Sequence, residues 1–514
     1  MRKTVLFVCA ALFSLPAYSQ LSSGAIDSLA ERSLKAFDVP GIAVAVIKDG
    51  KVIHAKGYGV RSLRTMQKVD ENTLFGIASN TKAFTAAALG ILVDEGKLKW
   101  DDRVRDYIPE FKLFDSWVTE QFTIRDLLTH RSGLGLGAGD LMFFPDSSDF
   151  TIEDVIYNLR YLKPVSSFRS KYDYDNNMYI VAGEVVARAS GMSWDDFVTT
   201  RILQPLGMTH SATSFDRLKD TGDIIDAHSV VDGRVRVIAR STGKVDHAAG
   251  GINSSIADLS KWVLLQLAHG KYNGKQLFSD DVHEEMWSPQ TITQRRVSPG
   301  PYNTHFQAYG FGFGISDVKG YKQLSHTGGL EGMVTQITMI PELNLGIIVL
   351  TNQEESAAFA SITNQIKDSY LGITGTDRVA EYAAIVKRNK AMGDKVTDSI
   401  WQHIEALQKT GKGSVDMSPY TGTYHDLWFG DITISVKNGR PWFESRRSRQ
   451  LTGELYYYNG NTFVAKWNNR SMHADAFVSF ILDENGKTSG ITMKPVSPLT
   501  DFSYDFQDLD FSRK

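Results

Sequence analysis

FGIASNTKAFTAAALGILVDEGK, Phe75 to Lys97, decides how this 514-residue chain is read. Ser79 is followed three residues later by Lys82, and behind them Phe84, Ala87, Ala88, Ile91 and Leu92 form an apolar helical run that stops at Gly96. Residues i and i+3 share one face of a helix, so the Lys82 amine can lie beside the Ser79 hydroxyl. Free N–H groups at a helix start favour developing negative charge there. A lysine desolvated in such a place loses its proton at modest cost and can act as a base. The competing reading makes Ser79 an N-cap and lets Lys82 snorkel to solvent.

Outward from this helix, GIAVAVIKDGKVIHAKGYG (Gly41 to Gly59) alternates apolar and polar residues about Asp49-Gly50 and predicts a hairpin after a short helix near Ile26 to Phe37. From Phe75 to Leu267 helical periodicity dominates. Strands return near Tyr309 in YGFGFGI, then in KQLSHTGGLEGMVTQITMI and LGIIVLTN, followed by a helical segment from Ser361 to Tyr370. Strands at both ends with helices between them predict an α+β fold, an antiparallel sheet packed with a helical domain. Past a helical connector the composition shifts to short aromatic-rich strands with turns at Asn438-Gly439, Asn459-Gly460 and Asn485-Gly486, which predicts a small all-β, barrel-like domain. The expected divisions are a signal peptide over 1–19, a hydrolase domain over 20–373, a connector over 374–414 and the β domain over 415–514. Its aromatics (Trp428, Phe429, Trp442, Tyr456, Tyr457, Tyr458, Trp467) read as core and cross-strand packing rather than as a ligand platform.

The start, MRKTVLFVCAALFSLPAYSQ, combines a basic beginning, an apolar run from Val5 to Leu15 and small residues at Ala17 and Ser19, the pattern of a cleavable export signal. A periplasmic or secreted location is the expectation. The one cysteine, Cys9, lies inside that run, so the processed chain would carry no thiol for disulfides or catalysis. A net charge of −3 with no basic patch argues against nucleic acid, and no later apolar run approaches the roughly 20 residues that span a bilayer, so no membrane anchor is expected. Oligomeric state is not legible.

Two further motifs complete a catalytic constellation. Tyr174-Asp175-Asn176 lies just before a helix, and His326-Thr327-Gly328-Gly329 lies on a late strand. Each has lookalikes in the chain: Ser241/Lys244 and Ser316/Lys319 for the first pair, Tyr457/Asn459 for the tyrosine motif, and Ser241-Thr242-Gly243 and Lys409-Thr410-Gly411 for the third. Order and setting separate the three from these. In that order they resemble the serine β-lactamase and penicillin-binding protein superfamily, in its class C β-lactamase-related branch of S12 peptidases and esterases. VPGIAVAVIKDGK, LLTHRSGL, LGMTHS, AAGGINSSIADLSKW and YGFGFG carry the resemblance over about Ile26 to Leu371, and the C-terminal region resembles the lipocalin-like β domain often appended to such enzymes.

The resemblance implies a hydrolase working without metal or cofactor on a small-molecule or peptide substrate. Ser79 would be the acylated nucleophile, Lys82 its activator, and Tyr174 the general base and acid. Asn176 would position the substrate amide, and the N–H groups of Ser79 and Gly329 would hold the oxyanion, with His326, Thr327 and Gly328 forming the strand beside them. Histidine replaces the lysine usual at the head of that triplet in antibiotic-hydrolysing enzymes, which points to a peptidase or esterase. The alternatives are a class C-like β-lactamase, a D-amino-acid-specific carboxypeptidase, or a silent penicillin- or peptide-binding receptor. Two expectations follow from sequence: His326 should gain charge, and attract substrate carboxylates, as pH falls toward 6; and a chain ending near Gly372, which retains every catalytic candidate, should be less soluble or less stable than the full protein yet retain measurable hydrolysis.

Overall fold

The computed structural model describes residues 20–294 and 300–514. The expected export segment and Cys9 lie outside the described residues. In the first hairpin Asp49 and Gly50 both take positive φ (50° and 74°), the turn that matches strand twist, and it joins β1 (Gly41–Lys48) to β2 (Lys51–Gly59). Six later strands complete the sheet: β3 (Thr291–Gln294), β4 (Gln307–Tyr309), β5 (Gly314–Val318), β6 (Tyr321–Leu330), β7 (Met333–Ile340) and β8 (Leu345–Thr351). The order is β2-β1-β8-β7-β6-β5-β4-β3, antiparallel throughout.

Strand β1 is buried along nearly its whole length because both faces of the sheet are covered. Ile42, Val44 and Val46 point to one side, where they meet α1 (Ser23–Ala36) and α5 (Ser356–Tyr370). Ala43, Ala45 and Ile47 point to the other, into the core shared with the helical domain. That domain is built around α2 (Lys82–Asp94), α3 (Asn177–Ser190) and α4 (Ile256–Leu267). Helix α2 is buried from Lys82 to Leu92, and Phe84 stacks on Trp262 of α4 at 3.9 Å between ring centroids. Apolarity all round is what a helix with no solvent face requires.

A 32-residue helix, α6 (Arg378–Lys409), then leads to eight strands: β9 (Gly422–Asp426), β10 (Gly430–Lys437), β11 (Arg440–Ser445), β12 (Thr452–Asn459), β13 (Thr462–Trp467), β14 (Ala476–Leu482), β15 (Thr488–Pro495) and β16 (Asp510–Arg513). They close into an antiparallel barrel, which leaves no free sheet edge. Trp428, Phe429 and Trp467 are buried in its core.

The barrel does not stand apart. Its apolar interior is continuous with that of the helical domain. Segment 142–158, which ends in the helix Ile152–Asn158, docks against it: Asn158 donates to the Trp428 carbonyl at 2.9 Å, and Arg447 pairs with Asp149 (2.6 Å) and Asp154 (2.7 Å) while lying 3.8 Å over the Phe150 ring. This shared core gives a physical reason for the loss of solubility or stability expected of a chain ending near Gly372. Such a cut would strip the cover from this apolar surface and from the pocket over Ser79.

Candidate active site

Ser79 sits in a short 3-10 turn, Ala78–Thr81, that feeds directly into α2. Ala78 has φ +50°, a conformation unfavourable for a residue with a Cβ, and the surroundings hold it there. The Ile77 N–H donates to the Ile252 carbonyl at 2.8 Å, and the Ile77 carbonyl accepts from Thr335 Oγ1 at 3.0 Å. Ser79 does not cap α2: its N-cap is Thr81, with no side-chain cap bond. The Ser79 hydroxyl instead meets Lys82 Nζ at 3.0 Å.

Lys82 is wholly buried. Its ammonium has three partners for three hydrogens: Ser79 Oγ, Asn176 Oδ1 at 2.7 Å and the Ala249 carbonyl at 2.9 Å. Burial pulls its pKa down to about 7, although Asp140, Asp246 and Asp175 favour the charge. The neutral amine keeps two hydrogens and gains a lone pair. Asn176 Oδ1 and the Ala249 carbonyl can only accept, so the lone pair must turn to the one partner able to donate, Ser79. Deprotonation thus aims a base at the nucleophile.

Tyr174 borders the same hydroxyl, and its ring packs on His130 (4.2 Å) with Lys82 Nζ 5.0 Å from its centroid. Burial holds its phenol well above the usual tyrosine range, with the Ser79 hydrogen bond offsetting part of the rise. It therefore stays protonated at neutral pH and can donate or relay a proton, while the ready base is Lys82. Asn176, expected to contact the substrate, accepts from Lys82 and donates through Nδ2 to Asp140 Oδ2 at 2.8 Å, so it acts here as a strut for the lysine. LLTHRSGL supplies the support: His130 Nδ1 accepts the Asp175 N–H at 3.0 Å, and Ser132 donates to Asp175 at 3.2 Å.

On β6, Gly328 faces the nucleophile turn, where a Cβ would come within 2.2 Å of the Ile77 carbonyl, whereas Thr327 and Gly329 are exposed to the pocket. Strand β5 pairs only with Tyr321 to Ser325, which leaves His326 to Leu330 as an open edge on that side. His326 is where the structure departs from the sequence reading. Its Nδ1 donates to the Thr327 carbonyl at 2.6 Å, and its Nε2 accepts from the Tyr309 hydroxyl at 2.9 Å. Burial, reinforced by the Lys82 charge, pulls its pKa to about 3. It remains neutral at pH 6 and cannot gain the charge that was expected to draw carboxylates. Of the lookalike residues, Ser241 lies at the pocket margin, Lys319 occupies a turn after β5, and Tyr457 and Asn459 belong to barrel strand β12.

The pocket over Ser79 holds about 810 Å³. Phe143, Phe144, Tyr172 and Leu330 give it apolar walls, and the barrel contributes another wall through Met472, Leu499 and Phe502. Asp246, Glu331, Glu354 and Asp501 also line it, and among the described residues no lysine or arginine does. Sequence reading missed Asp140, Tyr309, the Ala249 carbonyl and the barrel wall. Ala249 and Tyr309 lay within segments already noticed, AAGGINSSIADLSKW and YGFGFG, but nothing local marked them.

Comparison with known proteins places these features in context. The model of the Beta-lactamase family matches residues 26–371, and that of a domain of unknown function (DUF3471) matches residues 408–513. An unguisins hydrolase from Aspergillus violaceofuscus is 28% identical over 79% of this chain and 76% of its own. Protein flp of Staphylococcus aureus is 26% identical over 68% of this chain and 70% of its own. An octameric penicillin-binding protein homologue from Pyrococcus abyssi shares the fold with a TM-score of 0.62 at 22% identity, covering 96% of this chain and all of that one.

Proposed function

The chain belongs to the Beta-lactamase family and is a serine hydrolase of that family, and we propose that it cleaves an amide or ester of a small or peptide-like substrate through an acyl-enzyme on Ser79. The supporting observation is the Lys82 cage: three partners, of which only Ser79 can answer a lone pair. Neutral Lys82 takes the Oγ proton as Oγ bonds to the substrate carbonyl carbon. The resulting oxyanion would lie against the N–H groups of Ser79 and Gly329, a contribution of order 3–4 kcal/mol per donor in comparable sites. Collapse expels the alcohol or amine, which takes up the proton from Lys82 by way of the Tyr174 hydroxyl. Water then attacks the acyl carbon as Lys82 takes its proton, and collapse of the second tetrahedral intermediate breaks the bond to Ser79 Oγ, which takes that proton back from Lys82 as the acid departs. The substrate main chain fits along the open edge of β6, in the manner of an added strand.

The lining favours neutral substrates. β-Lactams and peptide C-termini carry carboxylates; among the described residues no lysine or arginine lines the pocket to meet them, His326 is uncharged, and burial raises the Glu331 and Glu354 carboxyls to about 8 and about 7. Amidase or esterase action is therefore the reading preferred over β-lactamase or carboxypeptidase action, and a silent receptor would not need a lysine poised near neutrality. We place the protein outside the cytoplasm, in the periplasm or medium, on the strength of its first 19 residues. The test is a fluorophosphonate probe with mapping of the adduct, followed by turnover of a neutral ester, an amino-acid amide and a chromogenic β-lactam. Labelling at Ser79, with the ester or amide preferred, is expected. An adduct elsewhere, or preference for the β-lactam, would refute it.

A further inference from the structure

The segment between β15 and β16 reaches from the barrel into the catalytic cage. Ser503 Oγ donates to Asp140 Oδ2 at 2.8 Å, the same oxygen that Asn176 Nδ2 holds at 2.8 Å, and Asp140 Oδ1 has no partner. Asp505 takes both ends of the turn around Asp140: Oδ2 accepts the Gly139 N–H at 2.6 Å and Oδ1 the Leu141 N–H at 3.1 Å. This turn in turn fixes the catalytic loop, since the Gly137 N–H donates to the Tyr174 carbonyl at 2.9 Å and Asn177 Nδ2 donates to the Ala138 carbonyl at 2.9 Å. Phe502 sets its ring edge-on to Tyr174 at 5.8 Å, and its carbonyl lies so close to Gly137 that a Cβ there would stand 2.7 Å away. The segment is itself stiff: the Leu499 N–H donates to Ser497 Oγ at 3.1 Å, and Asp501 Oδ1 accepts the Ser503 N–H at 2.9 Å.

We propose that Ser503 and Asp505 are positioning residues of the active site, holding Asp140 so that it orients Asn176 and, through it, the Lys82 amine. The barrel is then a structural part of the hydrolase. Every contact in the chain Ser503, Asp140, Asn176, Lys82 is a buried hydrogen bond, and a misplacement of the base by a fraction of an ångström is costly to proton transfer. The chain also transmits charge. Asp140 faces Ser503, Asn176, Asp175, Asp505 and Lys82; Lys82 faces Ser79, Tyr174, Tyr179, Asn176, Asp140, Asp175 and Asp246. Burial raises the Asp140 carboxyl well above its ordinary range, the Ser503 and Asn176 hydrogen bonds offset part of that rise, and the ionised form favours protonated Lys82. Loss of the hydroxyl makes Asp140 harder to ionise and Lys82 easier to deprotonate.

The inference rests on the acyl-enzyme reading, and the test separates the two. In the full-length chain, Ser503→Ala, Ser503→Thr and Asp140→Asn, with the double variant Ser503→Ala/Asp140→Asn, are compared with the parent for adduct mapping, melting temperature and ester turnover across pH 5–9. Labelling of the parent at Ser79 is the control for the underlying reading. The expected result is a fall in kcat of about tenfold or more in Ser503→Ala with KM little changed, and a shift of the acid limb to lower pH. Ser503→Thr, which restores a hydroxyl, should recover most of the rate, and the double variant should lose no more than the worse single one. Parent-like kcat and an unmoved acid limb in Ser503→Ala, or additive losses in the double variant, with Ser79 still labelled, would overturn the proposal while leaving the acyl-enzyme intact.

Discussion

Lys82 gives the reaction a pH signature. With its pKa near 7, set first by burial, the amine is charged and unable to accept a proton below that value, and free above it. Acylation should rise through pH 7 and level off, with no fall up to pH 9.5 from Tyr174, whose phenol stays protonated there. A rate flat from pH 5 to 8 would remove Lys82 as the base. Ser79→Ala should abolish both labelling and turnover without lowering the melting temperature, because Ser79 caps no helix. His326 predicts a coincidence: since it does not titrate between pH 5 and 8, the acid limbs for a neutral ester and a carboxylate-bearing ester should fall at the same pH. Limbs separated by half a unit or more would mean that His326 gains charge after all. The pairing of Ser79 with Lys82 was legible because helix spacing constrains it locally, whereas Tyr174 was carried only by the order of the three motifs and the family resemblance that order implies. The state of His326 was not, because it depends on Tyr309, 17 residues away, and on the burial that the sheet imposes.

At the scale of elements, two close approaches place the nucleophile turn against its neighbours. Gly328 brings β6 onto the Ile77 carbonyl, and Gly312, at φ +76°, lets the strand connection pass the start of α2, where a Cβ would stand 2.6 Å from the Ala83 backbone. Gly328→Ala should therefore push β6 off the Ser79 turn and cut turnover at least about a hundredfold, the scale expected when reacting groups are displaced by about an ångström. Ester kinetics near the parent's would show that the strand has slack. Phe84→Ala should cost about 3–5 kcal/mol in denaturant unfolding by opening a cavity against Trp262. The helix itself was readable from its unbroken apolar run, and the first hairpin from Asp49-Gly50. Which strands became neighbours was not, since β1 pairs with β8 across some 300 residues, and no local pattern encodes that register.

At the scale of the whole molecule the question is why a hydrolase with its candidates all before residue 330 carries a barrel. Closure removes the barrel's own edges, so its strands gain nothing from the first domain's sheet, yet the two share an apolar core and a polar seam. That seam is directional: Asn158 donates to a barrel carbonyl, while Asp505 and Ser503 reach from the barrel into the turn that holds Asn176. Sequence composition showed that a β domain follows the connector but not that it faces the site, because side chains such as Ser503 and Asp505 carry no motif. A chain ending near Gly372 would expose Met142, Phe150 and Val155, all buried in the full molecule, and leave the Gly139–Leu141 turn without its two acceptors. It should aggregate, or, where soluble, show ester turnover at least about a hundredfold below the full chain, with weaker labelling at Ser79. The measurement is size-exclusion chromatography followed by kinetics on the monomeric fraction. A monodisperse truncation with the parent's rate would show that the catalytic cage stands without the barrel.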